Sequence, residues 1–230
     1  MSVAASTAAR VVAASLVALA AACGDTTAPA FVVSSISATA GNGQHAVVAT
    51  ALPTAVAVQV MSTAGVPVPD ATVRFAVVGA GGSVSTSAAS TDASGTAQVL
   101  WTLGTVAGID SLTATTGSYS VTFTASATPD VPAQVLVVSG DAQSAPAGTA
   151  LAAPLVVMVL DKWGNAVPST AITWSTSAGG VLASATTTTD ANGMATDALT
   201  LGATPGPEPV TVSVLVGTVT LVATFVEQGN

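Results

Sequence analysis

Charge is scarce in this sequence. Of its 230 residues only 6% are charged and 3% aromatic, while 50% are hydrophobic. Soluble domains usually carry charge on about a quarter of their residues. The cations are Arg10, Arg74 and Lys162, set against 11 acids for a net charge of −8. Nucleic-acid binding needs clustered cations that displace counterions from phosphates, so that partner class is excluded. A Gly-Lys-Ser/Thr phosphate loop is excluded as well, because the only lysine, Lys162, precedes Trp163. A single cysteine, Cys23, cannot close an intramolecular disulfide. One cysteine and one histidine, His45, cannot build a Cys/His zinc site. His45 follows Gly41-Asn42-Gly43-Gln44 and reads as a solvated loop residue, with no Gly-x-Ser-x-Gly elbow to serve. The acids fall mostly in turns, where a carboxylate has a structural task, which argues against paired-carboxylate hydrolysis. No catalytic residue is expected.

Long apolar runs are also missing. A mean hydropathy of +0.72 would suit a membrane protein, yet no run reaches the ~18 residues of a spanning helix. The apolar content is Ala and Val dispersed among Thr, Ser and Gly. Val and Thr are β-branched and favour strands, and 21 Gly and 12 Pro punctuate them. The composition predicts an all-β, turn-rich chain.

The first residues follow a different pattern. Residues 1–10 are small and polar with one cation, Arg10, and residues 11–22 are apolar except for Ser15. Ala20-Ala21-Ala22 then precede Cys23. A short basic region, an apolar core and small residues before a cleavage point make up a secretory signal peptide. The segment Leu19-Ala20-Ala21-Ala22-Cys23 resembles a bacterial lipobox, with Ala20 where Leu is commoner. That resemblance implies cleavage after residue 22 and lipidation of Cys23, a durable anchor when two or more acyl chains are attached. Residues 23–29 read as a tether.

The rest of the chain repeats itself. Val66-Pro67-Val68-Pro69 and Phe75 map onto Ala166-Val167-Pro168 and Trp174, and Gly65 onto Gly164. Thr91-Asp92-Ala93-Ser94-Gly95-Thr96-Ala97 maps onto Thr189-Asp190-Ala191-Asn192-Gly193-Met194-Ala195. Leu103, Gly104 and Gly108 map onto Leu201, Gly202 and Gly206, and Gly41 and Gln44 onto Gly140 and Gln143. The opening phrases Pro29-Ala30-Phe31-Val32-Val33 and Pro132-Ala133-Gln134-Val135-Leu136 are matched in the same way. Two domains follow, at 30–127 and 132–227, joined by a short linker at 128–131, where Pro129 and the adjacent Pro132 favour an extended, semi-rigid connection.

Alternation places the strands. Val56, Val58 and Val60 form one stripe, Val73, Phe75 and Val77 a second, and Ala97, Val99, Trp101 and Leu103 a third. Val121, Phe123 and Ala125 close the first domain. In the second, Ile172 and Trp174 precede the alternating Val210, Val212, Val214 and Val216, then Val219, Leu221, Ala223 and Phe225. Residues 153–160 are continuously apolar, as in a strand buried on both faces or lying at a domain contact. Trp101 and Trp174 should point into the core. About seven short strands per hundred residues argue an Ig-like sandwich.

The residues now carry a resemblance. Asp161-Lys162-Trp163-Gly164-Asn165-Ala166-Val167-Pro168, then Ile172-Thr173-Trp174, then the hairpin from Thr189 to Ala195, resemble a bacterial Ig-like repeat of the invasin/intimin type. Ser62-Thr63-Ala64-Gly65-Val66 in the first copy lacks the Asp and Asn. The resemblance implies two tandem Ig-like β-sandwiches that act as spacers or adhesion modules on a cell surface, without catalysis or cofactor. With a lipid at Cys23 as anchor, it implies a cell-envelope protein at the outer membrane, periplasmic or surface-exposed, whose partner is an envelope protein or a glycan.

Two candidate ligand sites remain. Asp161, Asn165, Asp190 and Asn192 are hard-oxygen residues of the kind that hold calcium. They belong to separate turns without EF-hand spacing, so Asx-turn chemistry is the expected role and no metal is expected. Trp163 has no aromatic counterpart, since Ala64 stands in its place. An exposed Trp in a turn suits sugar stacking or a protein contact, and carbohydrate binding through Trp163 and loop acids is the alternative function.

Overall fold

The computed structural model describes residues 31–79 and 81–230. The expected signal peptide at 1–22, the expected lipid site Cys23 and the expected tether at 23–29 lie outside the described residues. Val32–Asn230 form one compact unit.

The unit is built of strands. The first half carries β1 (Val33–Ala40), β2 (Gln44–Val47), β3 (Val56–Ser62), β4 (Thr72–Val78), β5 (Ser83–Val84), β6 (Ala88–Ser90), β7 (Thr96–Val99), β8 (Trp101–Thr102), β9 (Gly108–Thr116) and β10 (Tyr119–Thr128). The second carries β11 (Pro132–Ser139), β12 (Ser144–Ala145), β13 (Leu155–Asp161), β14 (Ala171–Thr176), β15 (Val181–Leu182), β16 (Thr186–Thr188), β17 (Met194–Asp197), β18 (Leu199–Thr200), β19 (Gly206–Val216) and β20 (Val219–Gly229). Pro129, Asp130 and Val131 lie between β10 and β11. Among the described residues no helix is long and apolar enough to cross a membrane.

Topology repeats strand for strand. A three-stranded sheet β1-β3-β7 faces a five-stranded sheet β2-β10-β9-β4-β6, and β11-β13-β17 faces β12-β20-β19-β14-β16 in the same order. The first strand of each copy leaves the smaller sheet, turns at a glycine and adds its continuation to the larger one. β2 and β12 therefore run parallel to β10 and β20, while the other pairs are antiparallel. The glycine at that crossing is required. Gly41 and Gly140 have φ of 81° and 92°, and a Cβ would sit 2.6 Å and 2.2 Å from the carbonyl oxygens of Ala55 and Pro154.

Each sandwich encloses its own core. Val56, Val58, Val60, Phe75, Trp101 and Phe123 are buried in the first, and Leu155, Val157, Val159, Trp174, Val212 and Phe225 in the second. Both indoles are internal as their alternation implied, and both N–H groups are satisfied: Trp101 donates to Gly81 O at 2.8 Å and Trp174 to Thr187 Oγ1 at 2.8 Å. The two tryptophans occupy different layers. Trp101 stands where the second copy has Leu199, and Trp174 where the first has Phe75. Each core thus holds one indole and stays close-packed by exchanging which layer is large. Trp174 also meets Phe225 with ring centroids 6.2 Å apart and planes tilted by 31°.

Three sequence readings change. The apolar run 153–160 is not a strand buried on both faces. Ala153 and Pro154 are exposed, β13 begins at Leu155, and burial then alternates, with Val156, Met158 and Leu160 only partly covered. The opening phrases are not equivalent either. Register sets Val33 against Ser62 and Pro132 against Asp161, which equates Val33 with Pro132 and Ile36 with Val135. Hydrogen bonding across the sheet, not local similarity, decides the alignment. His45 lies in β2 beside Ser126, exposed but in a strand and not a loop.

The second copy also has the longer hairpin. Ala114 pairs with Val121 and Val212 with Ala223, so six residues close the first hairpin and ten the second. The extra turn of sheet exposes Leu215 and Val219. That explains why the Val210 to Val219 stripe is buried only through Val214.

Candidate functional site at the sandwich junction

The described residues contain no concave pocket. What stands out is where the two sandwiches meet. β10 delivers the chain to the C-terminal end of the first sandwich, beside the loop 104–107. β11 starts the second sandwich beside the turn 161–165 that follows β13. Those two segments face each other across Pro129, Asp130 and Val131.

Asp161 organises the turn. The residue is fully buried. Its Oδ1 accepts the N–H groups of Trp163 and Asn165, both at 2.8 Å, and its backbone pairs with Asn165 O at 2.9 Å. Its Oδ2 accepts the Asn165 side-chain amide at 2.8 Å and the Asp130 N–H at 3.0 Å. Burial alone would raise this carboxyl. The hydrogen bonds from Asn165, Asp130 and Trp163 together outweigh it and hold the group below the usual aspartate value.

Asn165 makes the crossing. Its Oδ1 accepts the Ala107 N–H at 2.8 Å and its Nδ2 donates to Thr105 O at 2.9 Å. Both partners are backbone groups of the first sandwich. One amide therefore reads a donor and an acceptor two residues apart, which fixes the loop's orientation as well as its distance. Each such bond contributes a net ~0.5–1.5 kcal/mol, and more is lost if a buried partner is left unsatisfied.

The linker is clamped from the other side. Lys162 Nζ lies 2.9 Å from Asp130 Oδ2 and 5.4 Å from the centre of the Trp163 ring. The Lys162 hydrogen bond and the Val131 N–H hold Asp130 below its ordinary value. Trp163 is 47% exposed, and one part of its role is visible: the indole lies beside the ammonium that pins the linker.

The remaining sequence candidates fall elsewhere. Asp190 and Asn192 sit in an exposed turn closed by Asp190 Oδ1, which accepts the Asn192 and Met194 N–H groups at 2.8 and 2.9 Å. Those bonds hold Asp190 below its ordinary value. Asp161 and Asn165 share a turn, while Asp190 and Asn192 share another. Among the described residues no three His, Cys, Asp or Glu side chains converge as metal ligands. The sequence reading missed the junction partners Thr105, Ala107 and Asp130. Its available signal was the replacement of Ser62 and Val66 by Asp161 and Asn165 between otherwise matching turns.

The first copy shows what the turn is without the junction. Ser62 N–H donates to Val66 O at 2.9 Å and Gly65 N–H to Ser62 O at 2.9 Å, as in the second copy. The turn closes with a hydroxyl and no carboxylate, so turn geometry alone does not demand Asp161 or Asn165.

No family model matches the chain, and no curated protein matches it. Solved structures do. The Escherichia coli adhesin FdeC matches 85% of this chain over 62% of its own, at 18% identity and a TM-score of 0.54. Yersinia pseudotuberculosis InvD matches 85% over 57% of its own, at 21% identity and a TM-score of 0.54. The fold is bacterial Ig-like. The Yersinia pseudotuberculosis adhesin InvE covers 87% of this chain at 19% identity, with a TM-score of 0.42. This chain spans about three-fifths of the length of InvE, which matches over 60% of its own chain. The Ig-like sandwich shared with FdeC and InvD is the fold class that the sequence implied. It fits the repeated topology and the two separate cores.

Proposed function

We propose that the chain is a non-enzymatic, lipid-anchored protein of the cell envelope whose tandem Ig-like domains serve as a spacer or adhesion module. In this reading residues 1–22 are a signal peptide and Cys23 carries the lipid. Residues 23–29 are the tether, 30–127 and 132–227 the domains, and 128–131 the linker. The observation that carries it is the junction. Asn165, Asp161 and the Lys162–Asp130 pair tie the second sandwich to the loop and linker of the first, as a spacer needs in order to hold its far end at a set distance. The signal and lipobox patterns support export and anchoring, and the adhesin FdeC, which shares the fold, supports display outside the cytoplasm. Lipid labelling combined with protease treatment of intact cells tests both parts. A labelled, membrane-bound chain that Cys23→Ser releases unlabelled is expected; a Cys23→Ser chain of unchanged mass still on the membrane would sink the anchor.

The half-exposed indole of Trp163 favours a second reading, a carbohydrate-binding lipoprotein in which Trp163 stacks on a sugar. Glycan-array binding abolished by Trp163→Ala would support it. Retention of no glycan by the wild-type chain would retire it.

A further inference from the structure

We propose that the junction is a docking code in two halves, and that neither outer end of the sandwich pair carries the half it would need to repeat it. One half is the Asp161–Asn165 turn at the N-terminal end of the second sandwich. The other is the loop at the C-terminal end of the first, whose Ala107 N–H donates to Asn165 and whose Thr105 carbonyl accepts from it. This goes beyond the spacer reading and stands whether or not Cys23 carries a lipid.

The equivalences come from the hydrogen bonds. At the C-terminal ends, Ala49 N–H donates to Gly104 O and Leu103 N–H to Thr50 O; Gly148 N–H donates to Gly202 O and Leu201 N–H to Thr149 O. Gly104 N–H donates to Asp110 and Gly202 N–H to Glu208. Gly108 and Gly206 close the two loops at φ of 142° and 148°. The loops have equal length and the same partners, so Ala107 corresponds to Pro205. Proline has no N–H. The second sandwich therefore ends in a loop that cannot donate where Ala107 donates.

At the N-terminal ends, the turn bonds equate Ser62 with Asp161 and Val66 with Asn165. Valine offers neither the amide oxygen that takes the Ala107 N–H nor the amide hydrogens that reach Thr105 O. Serine offers no second oxygen for a linker N–H. Val66 is 42% exposed, so the position faces solvent in one copy and a neighbouring sandwich in the other. One substitution removes the donor at one outer end, and two remove the acceptors at the other. Among the described residues the matched pair of ends is the internal one.

The test moves each outer end into the junction of the full-length protein. Ala107→Pro installs the loop residue of the second copy and Asn165→Val the turn residue of the first. Residual dipolar couplings report whether both sandwiches share one alignment tensor. The wild-type chain should fit one tensor, as should Pro205→Ala, which alters only the outer end. Ala107→Pro and Asn165→Val should each lose the common tensor and need two. If Ala107→Pro does not fold, Asn165→Val decides alone. A single shared tensor in a folded Asn165→Val chain would overturn the proposal.

Discussion

Removing the Asn165 amide should release the first sandwich's loop without unfolding either core. Asn165→Ala deletes the acceptor of the Ala107 N–H and the donor to Thr105 O. At ~0.5–1.5 kcal/mol net per bond, the loss is about 1–3 kcal/mol of coupling, a factor of roughly 5 to 150 in the junction's opening equilibrium. Amide hydrogen exchange reads this at the bond itself. In the wild-type chain Ala107 should be protected, because its N–H is held at 2.8 Å; in Asn165→Ala, which leaves that N–H without its acceptor, protection should fall by at least that factor. The Leu103 N–H, which donates to Thr50 O at 3.0 Å in the same end of the same sandwich, is the internal control and should not change. Equal protection of Ala107 in both proteins would refute the junction as a locked contact. A parallel fall at Leu103 would show instead that the substitution destabilises the first sandwich as a whole.

The repeat supplies its own controls for the other predictions. Ala49 and Ala142 hold φ of 59° where the opposite copies place Gly148 and Gly43 at 77° and 68°. A left-handed alanine costs ~1–2 kcal/mol, partly offset by glycine's larger chain entropy. Ala49→Gly and Ala142→Gly should therefore each raise stability by about 0.5–1 kcal/mol in denaturant titrations. Thr189→Val should lose about 1–3 kcal/mol, because the buried Thr189 hydroxyl donates to Val167 O at 2.7 Å and accepts the Thr170 N–H at 2.9 Å. Glu227 is buried, its Oε2 accepts the Gln143 N–H at 2.6 Å, and its Oε1 has no partner. Burial, with Asp141 nearby, pushes its carboxyl up despite the Gln143 bond. A raised folded value favours the protonated native state. Its contribution is thus full below the unfolded value of about 4.3 and lost as pH rises through the folded value. Stability measured from pH 4 upward should show that loss in the wild-type chain, and Glu227→Gln should remove it.

The fold was legible because sandwich strands announce themselves by period. Phe75, Trp101, Trp174 and Phe225 all point inward, as the alternation of their strands implied. The motif at residues 161–168 likewise pointed to an Ig-like sandwich. Register was less legible, since it is set by partners distant in sequence. The matched Pro-Ala phrases at 29 and 132 misled because nothing local says that Val33, not Pro29, takes the place of Pro132. The junction was half legible. Asp161 and Asn165 were visible as an excess of polar chemistry over Ser62 and Val66, but an Asx turn explains a polar turn residue equally well. Only the position of the loop 104–107 separates the two, and that depends on how two folded bodies meet.

The scarcity of charge explains where charge appears. Every described carboxylate except Asp70 accepts at least one backbone N–H. These acids close turns, crossings and loops. Of the two described cations, Arg74 lies on a sheet face and Lys162 is committed to the linker. A chain with so few charges concentrates Asp130, Asp161 and Lys162 at one place, and that place joins the two Ig-like sandwiches. Asp130 and Asp161 are both held below their ordinary values, so their contribution is present above the unfolded value of about 3.9 and lost as pH falls through the folded ones. The junction should therefore loosen in acid, together with the sandwich turns that Asp92 and Asp190 close, while the cores of Val, Leu, Phe and Trp do not titrate.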